Sequence, residues 1–357
     1  MFSILIVMFF FNSGYIHFPQ YNANAIQENA VKTINFEGGT GTVAINSKTN
    51  LVYVTNFFSG KLSILNGTNE LVGTIDLGKT PFGVAVNSQT NLIYVGGEYS
   101  DKLWIINGTT NKIQEQIDVK KPYDLAINEK SNKVYVTSDV THSVYVINGF
   151  TNKIEATFEV QRPCGIAVNS ETGMVYVTDE SANKTLVYDE NTNKLVKTID
   201  VQKSPRGVFV NEVTNTVYVT NQGSDSVSVI DGKTNTITDS IPVEKNPRRI
   251  VVNSDSNILF VTNQGSDDVS VIDGVKKTVI EKIPVNQPFE MAINPSNHKV
   301  YVAYYGTGNL TVIDDSFVPH SSSSSELLVI SSLVIVCGVV IGLFLIKTKK
   351  SRIKNIP

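Results

Sequence analysis

Residues 122–160 read PYDLAINEKSNKVYVTSDVTHSVYVINGFTNKIEATFEV. Four short apolar runs stand out, LAIN, KVYVTS, SVYVIN and KIEATFEV, separated by turn clusters at Glu129–Asn132 and Asp139–His142 and by a turn at Gly149. The first three runs are almost continuously apolar, as strands are when both faces are covered. In the fourth, Ile154, Ala156, Phe158 and Val160 alternate with Glu155, Thr157 and Glu159, the period-two pattern of a strand with one wet face. This stretch predicts a four-stranded antiparallel sheet whose last strand lies outermost.

The unit recurs along the chain. Segments VAIN, VAVN, LAIN, IAVN, VFVN, IVVN and MAIN close at Asn46, Asn87, Asn128, Asn169, Asn211, Asn253 and Asn294, spaced by 41 or 42 residues. Each is followed by Tyr-Val-Thr-Asn or a near relative, as at Tyr53–Asn56, Tyr135–Ser138, Tyr218–Asn221 and Phe260–Asn263. Four strands per unit of this length is the spacing of propeller blades, whereas helical repeats would show a 3.6-residue period. Before the outer strand, Asn66, Asn107, Asn148, Asp231 and Asp273 each precede a glycine, which predicts tight hairpins with positive φ.

The seventh unit stops after its third strand, LTVIDD, at Asp315, and the missing strand stands at the front of the chain. VKTINFEGGTGTVAIN (residues 31–46) aligns with VKTIDVQKSPRGVFVN (residues 196–211) at equal length. The expected fold is therefore all-β: a seven-bladed β-propeller of four-stranded antiparallel blades, its N-terminal strand closing the last blade, followed by one C-terminal transmembrane helix.

The tetrapeptides at Tyr53–Asn56 and Tyr218–Asn221 make the chain resemble the YVTN family of β-propeller repeat proteins over Val31–Asp315. That family includes archaeal surface-layer and cell-surface proteins, so the resemblance implies a role in the cell envelope. Similar repeats also occur in propellers that bind haem or quinones, in lyases and lactonases, and in interaction modules. Fold does not choose among these.

The ends agree with an envelope location. Residues 1–25 hold an apolar stretch from Phe2 to Phe11 and a small-x-small site at Ala23–Ala25, the marks of a secretion signal. The propeller is assigned to residues 26–318 and a serine-rich linker to residues 319–326. Residues 327–346 are uncharged and long enough to span a bilayer. Lys347, Lys349, Lys350, Arg352 and Lys354 in the tail, residues 347–357, keep that end cytoplasmic and leave the propeller outside. Sequons at Asn66, Asn107, Asn183 and Asn309 are candidate glycosylation sites on such an external domain.

A net charge of -3, with no basic cluster outside the tail, argues against nucleic acid as a partner. The four histidines, His17, His142, His298 and His320, are scattered, so no metal, haem or Ser-His-Asp arrangement is predicted, and no cofactor. A proline recurs six residues before the repeat asparagine, and the residues around it are expected to ring one mouth of the central channel. Phe82, Tyr123, Arg162, Cys164, Arg206, Arg248, Arg249 and Phe289 form this candidate ligand rim, cationic along one arc and suited to an anionic sugar or carboxylate. The alternative is a solvated rim whose charges pair with Asp124 and Glu290. The expected function is binding or envelope structure, with an unidentified envelope protein or glycan as partner. The competing expectation is an extracellular enzyme, lyase- or lactonase-like, acting on an anionic substrate in the channel.

Overall fold

The computed structural model describes residues 31–78 and 80–315. The expected signal, linker, membrane helix and basic tail lie outside the described residues, among which no helix is long and apolar enough to cross a membrane. The described chain forms seven sheets of four antiparallel strands. Blade 3, for example, comprises Leu125–Asn128, Lys133–Ser138, Ser143–Asn148 and Lys153–Glu159, ordered from the axis outward. Blade 7 takes Pro288–Asn294, Lys299–Tyr304 and Asn309–Asp314 from the C-terminal end and Val31–Asn35 from the N-terminal end, with Val31 opposite Ile313.

The continuous apolar runs follow from blade stacking. Tyr53, Leu62 and Ile64 of blade 1 pack against Val84, Ile93, Val95, Trp104 and Ile106 of blade 2 in one buried cluster. The same interleaving joins Val43, Val52, Val54 and Leu65 to Tyr301, Ala303, Leu310 and Val312, which closes the ring. Each second and third strand is thus buried on both faces.

The repeated tetrapeptide has a physical reason at each position. Its tyrosine is fully buried between blades at Tyr53, Tyr94, Tyr135, Tyr176 and Tyr301. Its threonine links neighbours: Thr220 accepts the Gly207 N–H within its own blade and donates to the Arg248 carbonyl of the next, both at 2.8 Å. Thr55, Thr137, Thr178 and Thr262 repeat the arrangement. Its asparagine, as at Asn221 and Asn263, donates to a serine of the third strand.

The asparagine that ends each inner strand is a staple. Its side-chain oxygen caps its own turn, as Asn87 does for Gln89 and Thr90. Its amide donates to the next blade, where Asn87 reaches Asn132 at 2.7 Å and Asn294 reaches Asn50 at 2.6 Å, across the closure. The acceptors stand at positive φ, which asparagine tolerates. Two blades lack that acceptor, and an acid replaces it. Where Gly173 occupies the position, Glu190 accepts from Asn128 at 2.8 Å; where His298 does, Asp315 accepts from Asn253 at 2.6 Å.

Two local expectations are corrected. The hairpin glycine is not used for φ, since Gly108 has no positive φ and the left-handed residue of that turn is Asn111. Gly108 is needed because a Cβ there would lie 2.4 Å from the Asn91 side-chain oxygen of the adjoining turn. The outer strand also does not keep one dry face along its length. A bulge between Val146 and Ile147 skips Glu155, so Phe158 is buried while Ile154 is 39% exposed.

Candidate functional site

Loops between second and third strands share a face with the prolines that open the inner strands, since Pro163 pairs with Asp179 and Pro205 with Asn221. The opposite face carries the asparagine staples. Seven of the eight rim residues come together where the inner strands open, but the rim is packed and not solvated. Phe82, Cys164, Phe289 and Arg248 are all less than a tenth exposed. Arg162 stands apart, its side chain 56% exposed and 3.4 Å from Glu180.

The polar centre of this plug comes from a row one residue further along each inner strand. There Gly83, Gly165 and Gly207 leave room in blades 2, 4 and 5, while Asp124, Arg249 and Glu290 project from blades 3, 6 and 7. A Cβ at Gly83 would meet the Tyr123 carbonyl oxygen at 2.2 Å, so neighbouring strands approach too closely for a side chain there. Arg249 reaches across the axis and donates to both Asp124 oxygens, at 2.7 and 3.2 Å, while its Nε lies 3.1 Å from Glu290. Arg248 donates to the Tyr123 hydroxyl at 2.7 Å and lies 3.5 Å over the Phe289 ring. Tyr123 in turn stacks on Phe82 at 5.0 Å. Only about 10 Å³ remains among these groups, too little for more than one water.

The pairing with Asp124 and Glu290 weighed from the sequence is present, but with buried partners. Its signal was the appearance of charged residues in three blades of a row that elsewhere holds glycine or, in blade 1, Thr42. Burial alone would lower the pKa of Arg249; Asp124 and Glu290 outweigh it and hold the guanidinium above its ordinary value. Burial pushes the Glu290 carboxyl above its ordinary 4.5 against the pull of Arg249. A raised carboxyl keeps its proton in the folded chain at a pH where the unfolded chain has lost it. Its contribution to stability is therefore full below 4.5 and fades as pH rises through the folded value. The difference in melting temperature between Glu290→Gln and the parent is expected to move in favour of the variant from about pH 4 to pH 7. A constant difference would count against the raised carboxyl.

Beside the plug, Tyr123, Asp139, Arg162, Cys164, Glu180 and Arg206 bound a cavity of about 70 Å³. Arg206 donates to Gln222 at 2.8 Å and to Glu180 at 3.2 Å, and its Nη1 lies 3.6 Å from the Cys164 sulfur. Burial raises the thiol pKa even so, which keeps it protonated. Among the described residues no group of three or more His, Cys, Asp or Glu is placed to hold a metal.

Sequence reading missed an aromatic arc on the same face. Phe57 is buried and packs edge-on against Phe58, Phe82 and Tyr99, at 5.2, 6.1 and 6.2 Å. Tyr305 stacks on Phe289 at 4.8 Å. Phe58, Tyr99 and Tyr305 remain 63%, 66% and 40% exposed. They occupy the loops after the tetrapeptides of blades 1, 2 and 7; Phe58 and Tyr99 stand where other blades carry Val140, Ser181, Gly223 or Gly265, and Tyr305 where they carry Glu180, Gln222 or Gln264. Of the sequons, Asn183 and Asn309 lie toward this face, and Asn66 and Asn107 lie in turns at the opposite one.

A family model described as Lactonase, 7-bladed beta-propeller matches residues 214–279, within blades 5 and 6. No curated protein matches the chain. Among solved structures, hydrazine synthase of Kuenenia stuttgartiensis is similar, with a TM-score of 0.69 and 13% identity over 79% of this chain and 97% of that one. Likeness at that identity speaks for the fold alone. The chain is a seven-bladed β-propeller protein.

Proposed function

We propose that the chain is a YVTN-type propeller of the archaeal cell-surface kind, exported and held at the membrane by its C-terminal segment, that binds an envelope protein or glycan. The observation that carries this reading is the arc of Phe58, Tyr99 and Tyr305, large rings left exposed yet braced from below by Phe57 and Phe289. Exposed rings already ordered cost little entropy to bind with, and aromatic anchors dominate interface energetics. The chain also leaves the fold on the far side, since Asp315 bonds to His298 in a turn of the staple face. An anchor beyond residue 318 turns the aromatic face away from the membrane.

Single changes Phe58→Ala, Tyr99→Ala and Tyr305→Ala are each expected to weaken retention of the purified chain by isolated cell envelopes about tenfold, while leaving its melting temperature nearly unchanged. Undiminished retention in all three variants defeats the proposal. A second reading, lactone hydrolysis, is favoured by the family match at residues 214–279 and by Arg206 beside Cys164 in the side cavity. Acid release from a lactone by the parent, abolished by Arg206→Ala and untouched by the aromatic changes, would put that reading first.

A further inference from the structure

Below the plug the axis opens again. Two residues before each staple asparagine, five of the seven blades carry alanine, with Phe209 in blade 5 and Val251 in blade 6. The small side chains leave a cavity of about 400 Å³ bounded by Ala44, Ala85, Phe209, Val251, Met291 and Ala292. Arg249 stands at its inner end, and the mouth lies among Asn253, Ser254, Asp255 and Pro295 on the staple face. This volume falls within the range of about 300–1,000 Å³ that holds small ligands, and it exceeds by far the roughly 150 Å³ in which an apolar cavity takes up benzene.

The chemistry of the walls narrows the occupant. Aliphatic walls give water few of the two to four polar partners it needs. Arg249 is the charged group at the inner end, and its three nitrogens already face Asp124 and Glu290. An anionic head would approach two carboxylates at the inner end and Asp255 at the mouth, and a cationic one at the inner end would approach the guanidinium. We infer that this cavity binds an uncharged molecule with a hydrocarbon body, such as an acyl-chain or isoprenoid alcohol, entering from the staple face with its polar end left at the mouth. Because Asp315 leaves the fold on that face, the mouth faces the bilayer if the proposed anchor holds. That orientation rests on the proposed function; the cavity itself does not.

The test uses the purified full chain and the uncharged fluorophore N-phenyl-1-naphthylamine, read by energy transfer from Trp104, the single tryptophan. Saturable transfer is expected, with affinity at least tenfold weaker in Ala292→Phe. Blade 5 already accommodates Phe209 at the equivalent position, so the strand itself tolerates the ring. Dodecanol or farnesol is expected to displace the probe where dodecanoate does not, the better competitor telling straight from branched chains. Equal transfer in parent and Ala292→Phe, or equal displacement by dodecanoate, overturns the inference. If Ala292→Phe does not fold, Phe209→Ala decides: its widened cavity is expected to admit a pyrene probe that the parent excludes, and identical behaviour of the two overturns the inference.

Discussion

A chain lacking residues 31–37 is expected to lose its monomeric elution peak and to aggregate. Every blade junction is crossed by the chain as it passes from one outer strand to the next inner strand, but blade 7 alone has an outer strand that is not covalently continuous with the third strand it pairs with. The junction of blades 7 and 1 is crossed only by residues 31–42, which run from the outer strand of one to the inner strand of the other. Val31–Asn35 pairs with Asn309–Asp314 over five residues, and the Phe36 N–H donates to the Gly308 carbonyl at 2.6 Å. Ile34 and Phe36 cover the cluster that holds Val43, Val52, Leu310 and Val312. Without this segment the strand Asn309–Asp314 becomes an uncovered edge, and apolar edges recruit other chains. The Asn294 staple to Asn50, the Tyr301 bond to Asn69 and the Thr40 bonds to Tyr304 and Asn309 remain, but each such hydrogen bond is worth only about 1 kcal/mol. The loss is expected to be comparable with the whole folding free energy, about 5–15 kcal/mol for a typical domain. Size-exclusion chromatography and a thermal melt read the outcome together; a monomer with an unchanged transition sinks the clasp.

That clasp was legible because a repeat makes an absence visible: six units show what the seventh lacks, and Val31–Asn35 fits the gap. Blade number, strand order and the face shared by Pro81, Pro122 and the tetrapeptide loops were legible for the same reason. The centre of the site was harder. Successive residues on a strand point opposite ways, so the row of Phe82, Tyr123, Cys164 and Arg206 and the row of Asp124, Arg249 and Glu290 differ by one position and serve different surroundings. Contacts such as Arg249 with Asp124 join blades that are not neighbours, across 125 residues of sequence, and no local pattern announces a chord through a ring. The aromatic arc escaped because Phe58, Tyr99 and Tyr305 stand in loops whose other copies carry no ring at these positions, only residues such as Val140, Ser181 and Gly223. Only the closed ring brings blades 7, 1 and 2 side by side.

Arg249→Ala is expected to destabilise the propeller by about 3–5 kcal/mol, because the change takes the shared cation from Asp124 and Glu290 and leaves Glu290 only the longer contact to Arg248, at 3.9 Å. The side chains of those acids are only 12% and 11% exposed, so water cannot take over the solvation that the guanidinium provides. An exposed pair in the same chain sets the scale. Asp118, 85% exposed, faces Lys102, and removing that lysine is expected to leave the melting temperature nearly unchanged. Replacing Asp124, Arg249 and Glu290 together with Asn, Met and Gln removes the charges of that triad at once and leaves Arg248, 3.9 Å from Glu290 in the parent, as the remaining cation; it is expected to cost less than Arg249→Ala alone. The two outcomes separate the worth of the charges from the penalty of breaking their pairing. In a domain of this size the single change amounts to a fall in melting temperature on the order of 10 °C. A fall of only a degree or two would mean that the axis is held by its stacked rings and threonine links, and that the charges of the plug are spare and open to a ligand. The same melts therefore bear on function, because a plug whose charges are consumed in holding blades 3, 6 and 7 together has none left for an anionic substrate.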